Sequence, residues 1–295
     1  MNQQNYLKSI TIIALTVCAS GIAWLGWSLR SEYEQTQQLR QANDLLEKKE
    51  YNSAIAAYDR LLTTDLTTNH FIWINRGYAF LGLNRYQDML ESCSTATSIE
   101  PNAALAWNCR GEALYYLKQY QEALKAFERA IDENPKKATF WLNKARVLAD
   151  LQSDKKAIVV SDRAIELTKL SSKRERAIAF NLKGQRLLKT KQYRESLAAF
   201  EQSLEYSSDY LSAQQGKGIA LYELKDFERA ISVFQQILQR DNLIKEQQVT
   251  SLIYMGVSLC QMQKTKLAEE AFQKVLTLTT DIRVQEIAQK GCGIQ

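Results

Sequence analysis

The chain has 295 residues, of which 45% are hydrophobic and 24% charged, as in an ordinary folded protein. Two prolines and eleven glycines are few for a strand-rich fold, which needs frequent turns, so a mostly helical chain is favoured. The formal net charge of +5 is small and spread out, and it does not indicate nucleic acid or an anionic surface as a partner.

The amino terminus contains an uncharged segment, residues 10–29, between a tail at 1–9 and a linker at 30–34. As a helix it would be about 30 Å long, enough to cross the hydrocarbon core of a bilayer. We predict one uncleaved transmembrane helix there. Two alternatives remain. Val17-Cys18-Ala19 resembles a signal-peptide cleavage site, which would leave a soluble secreted protein, and Cys18 could belong to a lipoprotein box, although Val17 fits that poorly.

The membrane orientation follows from basic residues near the span. Only Lys8 and the amino terminus precede it, whereas Arg30, Arg40, Lys48 and Lys49 follow it. Because cytoplasmic flanks carry an excess of basic residues, the charge count predicts a single-pass protein whose large domain lies in the cytoplasm.

The cysteines and the single histidine do not cluster in sequence, so no metal site and no cofactor are predicted. An odd count at wide spacing predicts free thiols, which favours a reducing compartment. We interpret Cys93 as a small core residue. The cysteines are Cys18, Cys93, Cys109, Cys260 and Cys292.

A period of 34 residues dominates the rest of the chain. We number each repeat so that tryptophan is position 4 and glycine is position 8. Internal repetition of this length is typical of helical-hairpin arrays. The recurring residues are Trp73, Trp107 and Trp141, then Gly77 and Gly111, then Pro101 and Pro135.

The clearest repeat, Ala104 to Lys137, resembles the tetratricopeptide repeat family. Its one clear departure is Arg110, where that family usually has leucine. The style of the repeat is similar to bacterial, and especially cyanobacterial, members. The residues that carry the resemblance, at positions 4, 8, 11, 17, 20, 24, 27 and 32, are Trp107, Gly111, Leu114, Tyr120, Ala123, Phe127, Ala130 and Pro135.

The resemblance implies an all-α, right-handed superhelical solenoid of about seven helix hairpins. Small residues at positions 8 and 20 would let the two helices of a hairpin approach, and large residues at positions 4, 11 and 24 would fill the space between them. Short insertions fall near Ser172–Arg176 and Lys245–Gln248, and residues 283–295 would cap the array. The repeats are 35–68, 70–103, 104–137, 138–171, 177–210, 211–244 and 249–282.

The family also implies a concave groove lined by the first helix of each repeat. Amide and tyrosine side chains there suit an extended peptide or a partner helix. The alternative is a polar surface that only keeps the solenoid soluble. Phe71 occupies one groove position, and the other candidates are Asn75, Tyr78, Asn108, Glu112, Tyr115, Tyr116, Asn143, Arg146, Asp150, Asn181, Gln185 and Tyr222.

One known specialisation of the family is not expected here. Domains that clamp the carboxyl-terminal tails of heat-shock chaperones need cations at defined groove positions. Asn43 and Asn75 match that pattern, but Leu39, Leu105 and Cys109 stand where other residues are required. We therefore predict no chaperone-tail clamp.

Two rows of charge recur with the repeat. A basic row at position 7 could bind a polyanion, but an acidic row at position 25 predicts ion pairs within or between repeats instead. The basic residues are Arg76, Arg110, Lys144, Lys183 and Lys217, and the acidic ones are Asp59, Glu128, Asp162 and Glu201.

No convergent acid, base or nucleophile is visible, so the chain is not expected to be an enzyme. The leading hypothesis is a membrane-tethered scaffold that binds protein or peptide partners and assists assembly of a membrane complex. The alternative is RNA binding by a helical-repeat protein such as a pentatricopeptide protein. That class lacks the tryptophan, glycine, alanine and proline pattern found here, so nucleic acid is not the expected partner.

Overall fold

The computed structural model describes Arg30, residues 32–168 and residues 172–293. All regular structure in these ranges is helical, with no strand. No helix among them combines the length and apolarity needed to cross a bilayer. The transmembrane helix predicted at residues 10–29 lies outside the described residues.

The first of two compact units ends at Gln119 and contains the first two repeats and the first helix of the third. The two helices of one repeat, such as α3 and α4, pack against each other as a helical hairpin. The helices are α1 (32–47), α2 (Tyr51–Leu61), α3 (His70–Gly82), α4 (Tyr86–Ile99) and α5 (Ala104–Tyr116).

The second unit begins at Tyr120. Its two 17-residue helices, α9 and α13, begin at the insertions predicted from sequence, which therefore lengthen first helices. The helices are α6 (Tyr120–Glu133), α7 (Ala138–Asp150), α8 (Asp154–Leu167), α9 (Lys173–Lys189), α10 (Tyr193–Tyr206), α11 (Leu211–Glu223), α12 (Phe227–Leu238), α13 (Lys245–Gln261), α14 (Thr265–Leu278) and α15 (Ile282–Lys290).

The same turn joins the two helices of every repeat. The residue at position 15 has a left-handed backbone conformation. The backbone N–H of position 16 donates a hydrogen bond to the carbonyl of position 11, for example from Gln119 to Leu114 and from Asp226 to Leu221, both at 2.9 Å. This six-to-one bond is that of a Schellman motif, which usually places glycine at the left-handed residue. Here the left-handed residues, with φ from 56° to 65°, are Lys49, Asn84, Lys118, Gln152, Lys191, Lys225 and Gln263.

Aromatic rings at position 24 pack on glycines at position 8 in the second unit. A methyl group on Gly184, Gly218 or Gly256 would lie 2.5–2.8 Å from the ring of the phenylalanine in the same repeat. Such a contact is too close for a real side chain, so glycine is needed for the helices to approach. The rings are those of Phe200, Phe234 and Phe272.

The tryptophans at position 4 do more than fill space. The indole N–H groups of Trp73, Trp107 and Trp141 each donate at 2.8 Å to a backbone carbonyl six residues earlier, in the turn between repeats. The bond gives a partner to a backbone carbonyl that lies outside the α-helices. Each tryptophan thereby fixes the inter-repeat turn to the next first helix.

The prediction of free thiols is wrong for the described cysteines. The structure joins Cys93 to Cys109 and Cys260 to Cys292, with Cα–Cα distances of 5.6 and 5.2 Å. Wide spacing in sequence did not reveal these pairs because stacking of repeats brings residues 16 and 32 positions apart into contact. Cys93 is fully buried, as its repeat position predicted, and Cys18 lies outside the described residues.

Candidate functional site

The first helices define the inner side of each unit. In the first unit α3 contacts α5, and in the second unit α7 contacts α9, α9 contacts α11, and α11 contacts α13. The second helices of neighbouring repeats within each unit lie farther apart. Crowding on one side and spreading on the other make the first-helix side the inner surface within each unit, which we name the first-helix face.

A polar network crosses the first-helix face of the first unit. Asn43 on α1 accepts hydrogen bonds from the Tyr58 hydroxyl at 2.7 Å and from the Asn75 amide at 3.1 Å. Tyr58 is fully buried, and burial raises its pKa to about 12 although the hydrogen bond with Asn75 lowers it. The network therefore joins the first two repeats through neutral side chains.

A second network lies between α3 and α5. The Asn108 amide donates to the Tyr78 hydroxyl at 3.3 Å and to the Glu112 carboxylate at 2.9 Å. Burial raises the pKa of Tyr78, and the nearby charge of Glu112 raises it further. Three of the predicted groove residues are thus brought together, and Tyr78 stays a neutral phenol at physiological pH.

Large apolar side chains are exposed beside these networks. Phe71 and Leu105, which occupy position 2 of successive repeats, are 53% and 43% exposed. The exposed Tyr116 stacks on Tyr86 with ring centroids 5.0 Å apart and meets the edge of Tyr115 at 5.5 Å. Exposed apolar residues that recur along one face are typical of a contact surface.

The groove residues predicted from the sequence do not include Leu105, which counts there only against a chaperone-tail clamp. The signal was present, because Leu105 lies 34 residues after Phe71 and therefore at the same place in the next repeat. The sequence prediction included Phe71 but did not extend it to the same position of the next repeat.

The first-helix face of the second unit is more polar. The Gln185 amide donates to the Ser212 hydroxyl at 3.0 Å, and the Arg146 guanidinium donates to the Asn143 amide oxygen at 3.2 Å. Tyr222 meets Tyr254 edge to face at 5.6 Å. These hydrogen bonds and the aromatic contact join side chains within the first-helix face of the second unit.

Asp150 ends α7 as an exposed residue, and Asn181 donates to the Tyr210 hydroxyl at 3.4 Å.

The predicted groove asparagines need a correction. Asn108, Asn143 and Asn181 are only 3%, 7% and 3% exposed, and each has bonded partners inside the protein. Packing of consecutive first helices covers these positions, and their amides are engaged in hydrogen bonds inside the protein instead of being presented on an open surface. Of the predicted groove aromatics, Phe71 and Tyr116 are exposed, at 53% and 37%.

The two charged rows form ion pairs between consecutive repeats. Lys144 lies 2.9 Å from Glu128, Lys183 lies 2.6 Å from Asp162, and Lys217 lies 3.1 Å from Glu201. Arg76 and Asp59 make the equivalent pair in the first unit at 2.7 Å.

Arg110 differs from the other members of the basic row. Position 25 of the preceding repeat is Ser94, and among the described residues Arg110 has no carboxylate partner. Its guanidinium lies over the Trp107 ring at 5.4 Å, and its Nε is buried without a hydrogen bond there. Neutralisation of the other four cations argues against a basic ladder for polyanions.

Comparison with known families agrees with the repeat pattern. Family models described as tetratricopeptide repeat match residues 104–137 and residues 181–243. No curated protein matches the chain.

Solved structures with the same fold include three informative neighbours. The pilF protein of Pseudomonas aeruginosa is 16% identical, with a TM-score of 0.65 over 75% of this chain and 96% of its own. PilW, a widely conserved type IV pilus biogenesis factor, is 18% identical, with a TM-score of 0.67 over 77% of this chain and all of its own. YrrB, a TPR protein with an unusual peptide-binding site, is 17% identical, with a TM-score of 0.55 over 68% of this chain and 99% of its own.

At sequence identities of 16–18% these neighbours show that the fold is shared, and their functions are not transferred to this chain. The two matching sequence models show that the chain contains tetratricopeptide repeats, and the solved structures share its helical-repeat fold.

Proposed function

We propose that this protein is a membrane-tethered interaction scaffold that binds a peptide or helix of a partner on the first-helix face of its first unit. The observation that carries the proposal is the exposure of Phe71, Leu105 and Tyr116 beside a fully bonded polar network. Apolar anchors surrounded by fixed polar groups are the usual composition of a peptide-binding surface.

The tether and the cellular role are parts of the same proposal. An uncharged segment at residues 10–29 is long enough to anchor the chain. One fold neighbour, PilW, is a widely conserved type IV pilus biogenesis factor. These features support a role in assembling a membrane complex, with no catalytic step.

The test uses the full-length protein in its native membrane. A photo-crosslinking residue in place of Phe71 should give a discrete adduct, and the same residue in place of Val159 should not. Val159 is a good control because it is 67% exposed but lies on α8, a second helix. The adduct identifies the partner segment, which is then synthesised as a peptide.

Affinity for that peptide should depend on the apolar anchors. Replacing Phe71, Leu105 and Tyr116 together by alanine should weaken binding by about 100-fold, at roughly 1 kcal/mol for each lost anchor. The matched control replaces three exposed apolar residues elsewhere, Val159, Leu267 and Ile282. Equal affinity of the two triple variants, measured by calorimetry, would remove the proposal.

A further inference from the structure

Position 24 of one repeat faces position 6 of the next. The Phe200 ring, at position 24, lies against Gly184 of its own repeat and against Gly216, which is position 6 of the following repeat. One junction later Phe234 stacks on Tyr254, again positions 24 and 6, with centroids 5.9 Å apart. These two positions therefore form a contact pair at both of these junctions.

At the junction between the second and third repeats both positions are cysteine. Cys93 is position 24 on α4, and Cys109 is position 6 on α5. A methyl group on Gly77 would lie 2.8 Å from the Cys93 sulfur and 3.1 Å from the Cys109 sulfur. The two sulfurs thus occupy the space that a phenylalanine ring occupies in later repeats. The Cα–Cα distance of 5.6 Å suits a disulfide without movement of the helices.

The second pair holds the end of the chain. Cys260 lies on α13, and Cys292 lies in the 3₁₀ turn Gly291–Gly293 that follows α15. The last helix buries only Ala288 and leaves Ile282 71% exposed, so apolar contact attaches it weakly. A covalent bond from the following turn to the last repeat compensates for that small buried surface.

We infer that Cys93–Cys109 and Cys260–Cys292 are oxidised in the mature protein, and that the repeat domain therefore resides in an oxidising compartment. Such a location is opposite to the cytoplasmic one predicted from a few basic residues. Structural disulfides persist outside the cytosol and are rare where thiols are kept reduced. Four facing cysteines in two pairs constrain the compartment more strongly than the charge count does.

The oxidation is an ordinary thiol–disulfide exchange. In each pair two thiols lose two protons and two electrons and form one S–S bond. An oxidised dithiol protein or a low-molecular-weight disulfide accepts them, and its own S–S bond breaks to give two thiols. Cys93 and Cys109 are fully buried after folding. The first bond is consequently shielded from reductants and has a structural use, not a catalytic one.

The test begins with the full-length protein isolated from its native cells under acid quench. Free thiols are blocked with a maleimide in denaturant without reductant, and the peptides are then analysed by mass spectrometry. We expect linked peptides for both pairs and no maleimide on any of the four cysteines. Labelled Cys93 and Cys109 from native cells would overturn both the oxidation and the compartment.

Variants separate the two bonds and keep the inference testable if one variant fails to fold. Replacing Cys260 and Cys292 by serine should speed amide hydrogen exchange in α15 at least tenfold and leave α4 and α5 unchanged. Reducing the wild-type protein should speed exchange in α15 to the same extent. If the serine pair and the reductant both leave exchange in α15 unchanged, the second bond has no such role, and the inference fails for it.

Discussion

Two junctions of the array perform the same packing task with different chemistry. Between the fifth and sixth repeats the Phe200 ring fills the gap between two glycines, whereas between the second and third repeats two bonded sulfurs fill it beside Gly77. The first solution depends on buried area, which holds in any redox environment. The second depends on a covalent bond, which is stable only where disulfides persist.

This difference has a practical lesson for repeat proteins. The backbone turn inside each repeat recurs closely, with a left-handed residue at position 15 whose φ lies between 56° and 65° in all seven repeats. The side chains at positions 24 and 6 of a junction can nevertheless differ from one junction to another, provided that the two fit each other. One junction pairs a phenylalanine ring with glycine, and another pairs two cysteine sulfurs. A departure from the family pattern at one position is best interpreted together with the position that it faces.

The largest expected effect comes from emptying the ring site. Phe200→Ala should lower the free energy of unfolding by about 3–5 kcal/mol, because a fully buried ring is removed and glycines cannot refill the cavity. Cys93→Ala combined with Cys109→Ala should cost about 2–4 kcal/mol in oxidised protein. Urea unfolding at equilibrium, followed by circular dichroism, measures both. A larger loss in the cysteine double variant would show that covalent attachment, not ring burial, dominates the stability of these junctions.

Overfilling the two junctions should distinguish them further. Gly184→Ala and Gly77→Ala each place a methyl group 2.8 Å from a neighbour, and each should cost about 1–3 kcal/mol. Reductant present during unfolding and refolding, when Cys93 and Cys109 are accessible, should relieve part of the cost of Gly77→Ala, because separate thiols can rotate away. It should not relieve the cost of Gly184→Ala, where the neighbour is a fixed ring. Equal penalties with and without reductant at Gly77 would contradict the assignment of the sulfurs as its packing partners.

A third occupant of the same position, Tyr58, makes one junction sensitive to pH. Its pKa is raised from 10.0 to about 12, so the folded protein prefers the neutral phenol. The stability contributed by this shift is present below pH 10 and is lost as the pH rises through 12. The difference in unfolding free energy between wild type and Tyr58→Phe should therefore shrink between these two pH values. A constant difference would show that Tyr58 titrates normally.

The smallest effect concerns the incomplete ion-pair row. Ser94→Asp should give Arg110 the partner that Glu201 gives Lys217, and it should raise stability by about 0.5 kcal/mol. Ser94→Asn controls for the change in size, because it adds no charge. The gain should weaken at high salt, since the pair would be partly exposed. A Ser94→Asn variant as stable as Ser94→Asp would indicate packing instead of charge.

Much of the fold could be predicted because the repeat residues act locally. Trp107, Gly111 and Pro135 predict two helices by size and by interruption of a helix, and the structure contains both of them, α5 and α6. The pairing of Lys183 with Asp162 also followed from sequence, because two rows with one period must meet at each junction.

The disulfides and the surface chemistry could not be predicted in the same way. Cys93 and Cys109 meet only because positions 24 and 6 face each other, a relation that requires the stacked structure. The burial of Asn108 has the same origin, because its exposure depends on how closely α3 and α5 approach. The family pattern says which positions usually face the groove. It does not say that in this chain the side chain of Asn108 is buried and hydrogen-bonded between neighbouring first helices.

The hydrogen-bonded indoles of Trp73, Trp107 and Trp141 are intrinsic fluorescent probes of local unfolding in this protein. Each indole N–H is tied to the turn that enters its repeat, so its fluorescence will change when that turn detaches. Variants that retain a single tryptophan, with Trp24 and Trp27 replaced as well, would each report on one turn. The order in which the three signals change during unfolding would then give the sequence of events along the array, without any added dye.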